Sequence, residues 1–89
     1  MQAKLVCYAL KANASQRTKL HRELYGYEDS SNHGRYSYRR KGLLDKIRNK
    51  RVTDAVIIIE SHDTKKLINL LKKHGAKTHV FDIILKKDL

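Results

Sequence analysis

The 89-residue chain has no proline, no tryptophan, one phenylalanine, one cysteine and four glycines. A lone Cys7 excludes an internal disulfide and a cysteine-based zinc site, and it suits a reducing cytoplasm. Alternating into an apolar strand, Cys7 reads as an inert packing thiol. Long apolar runs are missing too. The runs at residues 5–10 and 55–59 are far short of the roughly 20 residues that cross a bilayer, so no membrane partner is expected. Residues 1–11 lack the small-residue cleavage pattern of a secretory signal. The missing proline and the many lysines and isoleucines hint at a thermophilic source. Acidic residues are scarce: nine Asp and Glu face twenty Lys and Arg, a net charge of +11.

What remains is enough to fold. Forty per cent of the residues are hydrophobic and 33% charged, which permits a core under a charged surface. Residues 1–89 read as a single domain, because two would each be too small to offset their chain entropy.

Residues 3–11 read as a central strand, mostly apolar and flanked by lysines. Asn13 and Gln16 have capping-box spacing, and Leu20, Leu24 and Tyr27 follow at helical intervals, predicting a helix over 14–25 that Gly26 ends. Residues 28–34 are dense in turn-formers and read as a loop. Residues 35–39 alternate so that Tyr36 and Tyr38 share one strand face while Arg35, Ser37 and Arg39 share the other. Residues 42–47 read as a connection with one potential helical turn, followed by a cationic segment at 48–51. Residues 55–60 are apolar on both alternating faces, the mark of a strand buried on both sides. Ser61 or Asp63 is placed to cap a second helix with Leu67, Ile68 and Leu71 as its stripe and Gly75 as its end. Residues 77–86 form the last strand, with Phe81, Ile83 and Leu85 opposite Asp82.

This order predicts an α/β (α+β) domain, specifically a single-domain ferredoxin-like β-α-β-β-α-β two-layer sandwich: an antiparallel sheet with two helices on one face. The topology resembles that of RNA-recognition-motif domains, acylphosphatases and CRISPR-associated Cas2 proteins. Residues 54–59 carry no Lys/Arg-Gly-Phe signature, and neither a phosphate-cradling glycine loop nor an early-strand aspartate is present, so no family or activity is assigned.

The charge is concentrated. Residues 13–51 hold eleven Lys or Arg against four acids, a local excess of seven, and four of the five tyrosines. Arginine grips phosphate through paired hydrogen bonds, and tyrosine offers a face on which an unpaired base stacks. Mixed-sign pairing is not expected to consume this excess. The pattern points to nucleic-acid binding through Arg17, Lys19, Arg22, Tyr25, His33, Arg35, Tyr36, Tyr38, Arg39, Arg40, Lys41, Arg48, Lys50 and Arg51. Neutralising about five to eight phosphates would give a log–log salt slope near −0.7 per phosphate on a single strand. RNA is preferred to DNA because no helix-turn-helix or zinc finger is present and aromatics beside arginines suit splayed bases. A ribosomal or other ribonucleoprotein setting fits. For the two tyrosines, burial on the core face of their strand is the leading expectation.

Two other classes stand beside this one. A metal-independent ribonuclease would use His21 and His33 as acid and base with Lys41 or Arg40 on the phosphorane. An interaction module would dimerise through the sheet face that helices leave open. Glu60, His62 and Asp63 crowd the start of the second helix, where capping accounts for an acid without an ion; no metal and no cofactor are expected.

Overall fold

The computed structural model describes residues 1–31 and 36–89; His33 and Arg35 fall outside them. In chain order the elements are β1 (Gln2–Ala9), α1 (Ala14–Tyr25), β2 (Tyr27–Ser31), β3 (Tyr36–Arg40), a 3₁₀ turn (Leu43–Asp45), β4 (Asn49–Thr53), β5 (Val56–Glu60), a second 3₁₀ turn (Ser61–Asp63), α2 (Thr64–Lys73) and β6 (Lys77–Ile84). The protein is thus a mixed α+β domain with two helices, a four-stranded antiparallel sheet ordered β4-β5-β1-β6, and a separate two-stranded sheet of β2 and β3. Among the described residues no helix is long and apolar enough to cross a membrane.

Helix α1 starts as its sequence dictates. The Asn13 side chain accepts the Gln16 amide at 2.9 Å, and the Gln16 side chain accepts the Asn13 amide at 3.3 Å, so two donors that no helical carbonyl reaches are satisfied. Its inner stripe, Leu20 and Leu24, is buried. Helix α2 buries Leu67 and Leu71. Both pairs pack with Val6, Ile57 and Ile59 into one core. The register explains why those three strand residues share a face: Val6 lies opposite Ile57, and Lys4 opposite Ile59. Where the helices meet at the surface, Glu23 of α1 pairs with Lys73 and His74 at the end of α2, and the His74 contact does most to hold the Glu23 carboxyl below its usual range.

The alternate sheet face has no helix on it. Leu5 pairs with Ile58 and Phe81, Cys7 with Val56 and His79, and Ala3 with Ile83. Phe81 is 53% exposed and Cys7 half-buried. Strand β5 is therefore not buried on both sides as expected: Ile57 and Ile59 are sealed, while Val56 and Ile58 are half-covered. The two sheet edges also differ. Outer strand β4 carries a bulge between Arg51 and Thr53, whereas β6 pairs with β1 over eight unbroken residue pairs.

Three further expectations are corrected. Residues 28–31, expected within a loop, and Tyr27, read at helical spacing with Leu24, form strand β2 (Tyr27–Ser31). Strand β3 pairs with β2 rather than joining the main sheet, and the cationic segment 48–51 supplies most of β4, the main sheet's edge. The side chains of neither Ser61 nor Asp63 cap α2.

Leu24 is completely buried between the helices and the sheet. Leu24→Ala should lower unfolding free energy in urea by about 2 to 5 kcal/mol, the range for a large-to-small core change. A loss under 1 kcal/mol would place this residue outside the core.

Candidate nucleic-acid interface

The β2–β3 hairpin leaves the body of the protein through a narrow root. Gly26, at φ +77°, and Gly42 lie back to back: a Cβ on Gly26 would come within 2.2 Å of the Arg40 carbonyl oxygen, and one on Gly42 within 2.3 Å of the Gly26 nitrogen. Both obstacles are backbone, so only glycine fits. Asp45 then ties the root. Its carboxylate accepts the Gly42 amide at 2.8 Å and an Arg39 N–H at 3.2 Å, and Arg39 also donates to the Tyr25 carbonyl at the end of α1. The Gly42 amide, and after it the Arg39 guanidinium, hold the Asp45 carboxyl below the usual carboxylate range.

The hairpin beyond this root is solvated. All five residues of β3 are exposed, with Tyr36 62% and Tyr38 43% accessible, which overturns their expected place in the core. The register puts Tyr27 opposite Arg40 and Asp29 opposite Tyr38, so Tyr27, Asp29, Tyr36, Tyr38 and Arg40 share one face of the ribbon. On that face the Arg40 guanidinium lies 4.7 Å from the centre of the Tyr38 ring, donates to the Tyr38 hydroxyl at 2.9 Å and pairs with Asp29 at 3.0 Å. Arg22 reaches over from α1 to cover the Tyr27 ring, also at 4.7 Å. The result is a stripe in which guanidinium groups and phenol rings are interleaved. Residues 27–31 belong to this site although their turn-forming composition disguises it; the signal was the pair of glycines bracketing two equal five-residue runs.

The remaining predicted cations are not gathered with the stripe. Arg39 projects from the other ribbon face, Arg51 lies over Tyr25 at 4.2 Å, and Lys50 sits opposite Ile58 on the uncovered sheet face. Carboxylates also claim more arginines than expected: Arg39 pairs with Asp45, Arg40 with Asp29, Arg48 with Glu60 and Arg51 with Asp54. The four arginine side chains stay 40–56% exposed, and surface pairs in water of this kind contribute little to stability. Phosphate oxygens can replace them at little cost. Arg17, Lys19, Arg22, Lys41 and Lys50 form no ion pair with another described residue.

His21 is on the surface of α1, its ring 4.5 Å from that of Tyr25, beside a hollow of about 410 Å³ lined also by Tyr8, Arg17 and Asp54. The Tyr8 hydroxyl donates to the Asp54 carbonyl at 2.9 Å; burial first, then the adjacent Tyr25 phenol, raises its pKa well above the ordinary range. The Tyr25 hydroxyl is buried with no hydrogen-bond partner among the described residues. No second described histidine joins His21 here, and His33, the other half of the hydrolytic pair, lies outside the described residues. At the far end of β5, Glu60, His62 and Asp63 converge.

No protein-family model, curated protein or solved structure matches the chain.

The lowered Asp45 pKa fixes the sign of an acid response. A carboxyl depressed on folding stabilises the root above its unfolded value of about 3.9, and that contribution is lost as pH falls through the lower folded value. The Gly42 amide resonance should stay constant from pH 8 to 5 and shift only below about pH 4, and Asp45→Asn should abolish that shift. A midpoint above pH 5 would contradict the geometry.

Proposed function

We propose that this chain is a nucleic-acid-binding protein whose β2–β3 hairpin is an arm for single-stranded or looped RNA. One observation carries the reading: Tyr36 and Tyr38 are solvent-exposed on the same ribbon face as Arg40. Large aromatic rings left in water beside guanidinium groups suit unpaired bases, which stack on the rings while cations take the phosphates. Arg17, Lys19, Lys41 and Lys50, and the arginines whose surface pairs exchange readily, add a diffuse positive field over the rest of the surface. The net charge of +11 supports the same reading, since a polyanion relieves the chain's self-repulsion. An RNA-processing or ribonucleoprotein setting in the cytoplasm belongs to this proposal.

The finer description of the fold belongs to it as well. With the hairpin set aside as an insertion, the main-sheet strands in chain order are β1, β4, β5 and β6, and the sheet order β4-β5-β1-β6 supports a ferredoxin-like sandwich carrying an arm. The uncovered face around Leu5, Ile58 and Phe81 supports a second copy as an additional partner. Light scattering should then give twice the 10.4 kDa chain mass, and Phe81→Lys should return the monomer; a wild-type monomer at 100 µM, on the order of a weak dimer's Kd, would remove that partner.

Titration against single-stranded RNA, duplex RNA and duplex DNA tests the main reading. Single-stranded RNA should bind tightest, with a log–log salt slope of about −2 to −4, corresponding to roughly three to five phosphates. Tyr38→Ala should weaken it about five- to hundredfold, the range for one stacked base. A flat salt response, or a Tyr36→Ala, Tyr38→Ala double variant binding like wild type, would overturn the assignment. Tightest binding to duplex DNA would replace RNA by DNA. RNA cleavage lost in His21→Ala would replace binding by hydrolysis.

A further inference from the structure

We propose that Glu60, His62 and Asp63 bind one divalent transition-metal ion, of the Mn²⁺ or Zn²⁺ type, at the junction between β5 and α2. The donor atoms of these three residues lie within 4.8 Å of one another. His62 Nε2 is 3.2 Å from Glu60 Oε2 and 3.2 Å from Asp63 Oδ2. With metal–ligand bonds of about 2.0 to 2.2 Å, the His62–Glu60 and His62–Asp63 pairs would each subtend roughly 93 to 106° at a shared ion, between octahedral and tetrahedral angles. Two carboxylates and an imidazole are a donor set suited to Mn²⁺ or Zn²⁺.

The backbone prepares this arrangement. Ser61–Asp63 is a 3₁₀ turn, whose tight winding brings positions three apart onto one side, here Glu60 and Asp63. Thr64 Oγ1 donates to the Ser61 carbonyl at 2.8 Å and pins the turn. Each carboxylate is also oriented from behind. Arg48 holds Glu60 Oε1 at 3.2 Å and Lys66 lies 3.7 Å from Asp63 Oδ1, so the other oxygen of each acid turns toward His62. Carboxylates that ligate metals are themselves held by an outer layer of hydrogen-bonding groups.

An independent observation concerns Asp63 alone. It is the one buried charged residue among those described, only 6% exposed. Although it occupies the position that begins α2, its backbone is helical (φ −94°, ψ −3°) and its side chain makes no capping bond. Helix capping, the ordinary reason for an acid here, does not account for it. Its ion pairs are with the His62 nitrogen, itself one of the three donors, at 3.2 Å and with Lys66 at 3.7 Å. The His62 side chain is 72% exposed, so an ion held there keeps positions open to water or to a phosphate oxygen. This site does not depend on the hairpin arm, and the two readings stand or fall separately.

Isothermal titration of the full chain with MnCl₂ and ZnCl₂, with the paramagnetic resonance of Mn²⁺ as a second readout, tests it. One ion should bind per chain. His62→Ala and Asp63→Asn should each weaken binding about tenfold or more, while Asp54→Asn, at an acid 98% exposed elsewhere, should leave it unchanged. Circular dichroism separates loss of the site from loss of fold, and His62→Ala, at an exposed position, keeps the test decisive if Asp63→Asn unfolds. Absence of saturable binding of either ion by about 1 mM, or His62→Ala binding like wild type, would overturn the proposal.

Discussion

The hydrogen bond from the Gly42 amide to the Asp45 carboxylate is the constraint on which the arm depends. A two-stranded ribbon alone in water is marginal at best. This one is held because its two ends leave the body through backbones too close for any side chain, and because one carboxylate fastens both Gly42 and Arg39 there. Arg39 adds the Tyr25 carbonyl, a natural partner for a cation because the end of a helix carries partial negative charge. Helix, ribbon and 3₁₀ turn thus share one knot of polar groups, and the direction in which Tyr36 and Tyr38 are offered follows from it.

The electrostatics of the surface are those of a loosely engaged polycation. Counting charges in the sequence overstates how many guanidinium groups stand unoccupied, since several have found carboxylates in space that were remote in the chain, Arg48 with Glu60 and Arg40 with Asp29 among them. These pairs remain wet, so they orient side chains without locking them away. What distinguishes the arm from the rest of the basic surface is the combination with exposed rings.

Much of the body was legible in the sequence, and the reasons are local. The Asn13–Gln16 box, the stop at Gly26, the α2 stripe and the alternation of β6 are all written within a few residues, so neighbours in the chain suffice to read them. The arm was not legible for the opposite reason. Residues 28–31 contain acids and serines, poor strand formers by themselves, and they become a strand because β3 lies opposite. Alternation showed that Tyr36 and Tyr38 share a face but carries no information on whether that face meets a core or water. Segment 48–51 reads as a charged loop until β5 offers its edge. Asp63 misleads in another way: its position suits a cap, but the preceding 3₁₀ turn rotates its carboxylate away from the helix amides.

The unequal edges of the main sheet have a consequence for assembly. Exposed strand margins invite addition of further strands, and a bulge with charged neighbours is a usual means of refusal; β4 has both, while β6 is long and regular. A molecule receptive along one margin only cannot propagate a ribbon of copies. Association of the main sheet through that margin alone closes after a single step.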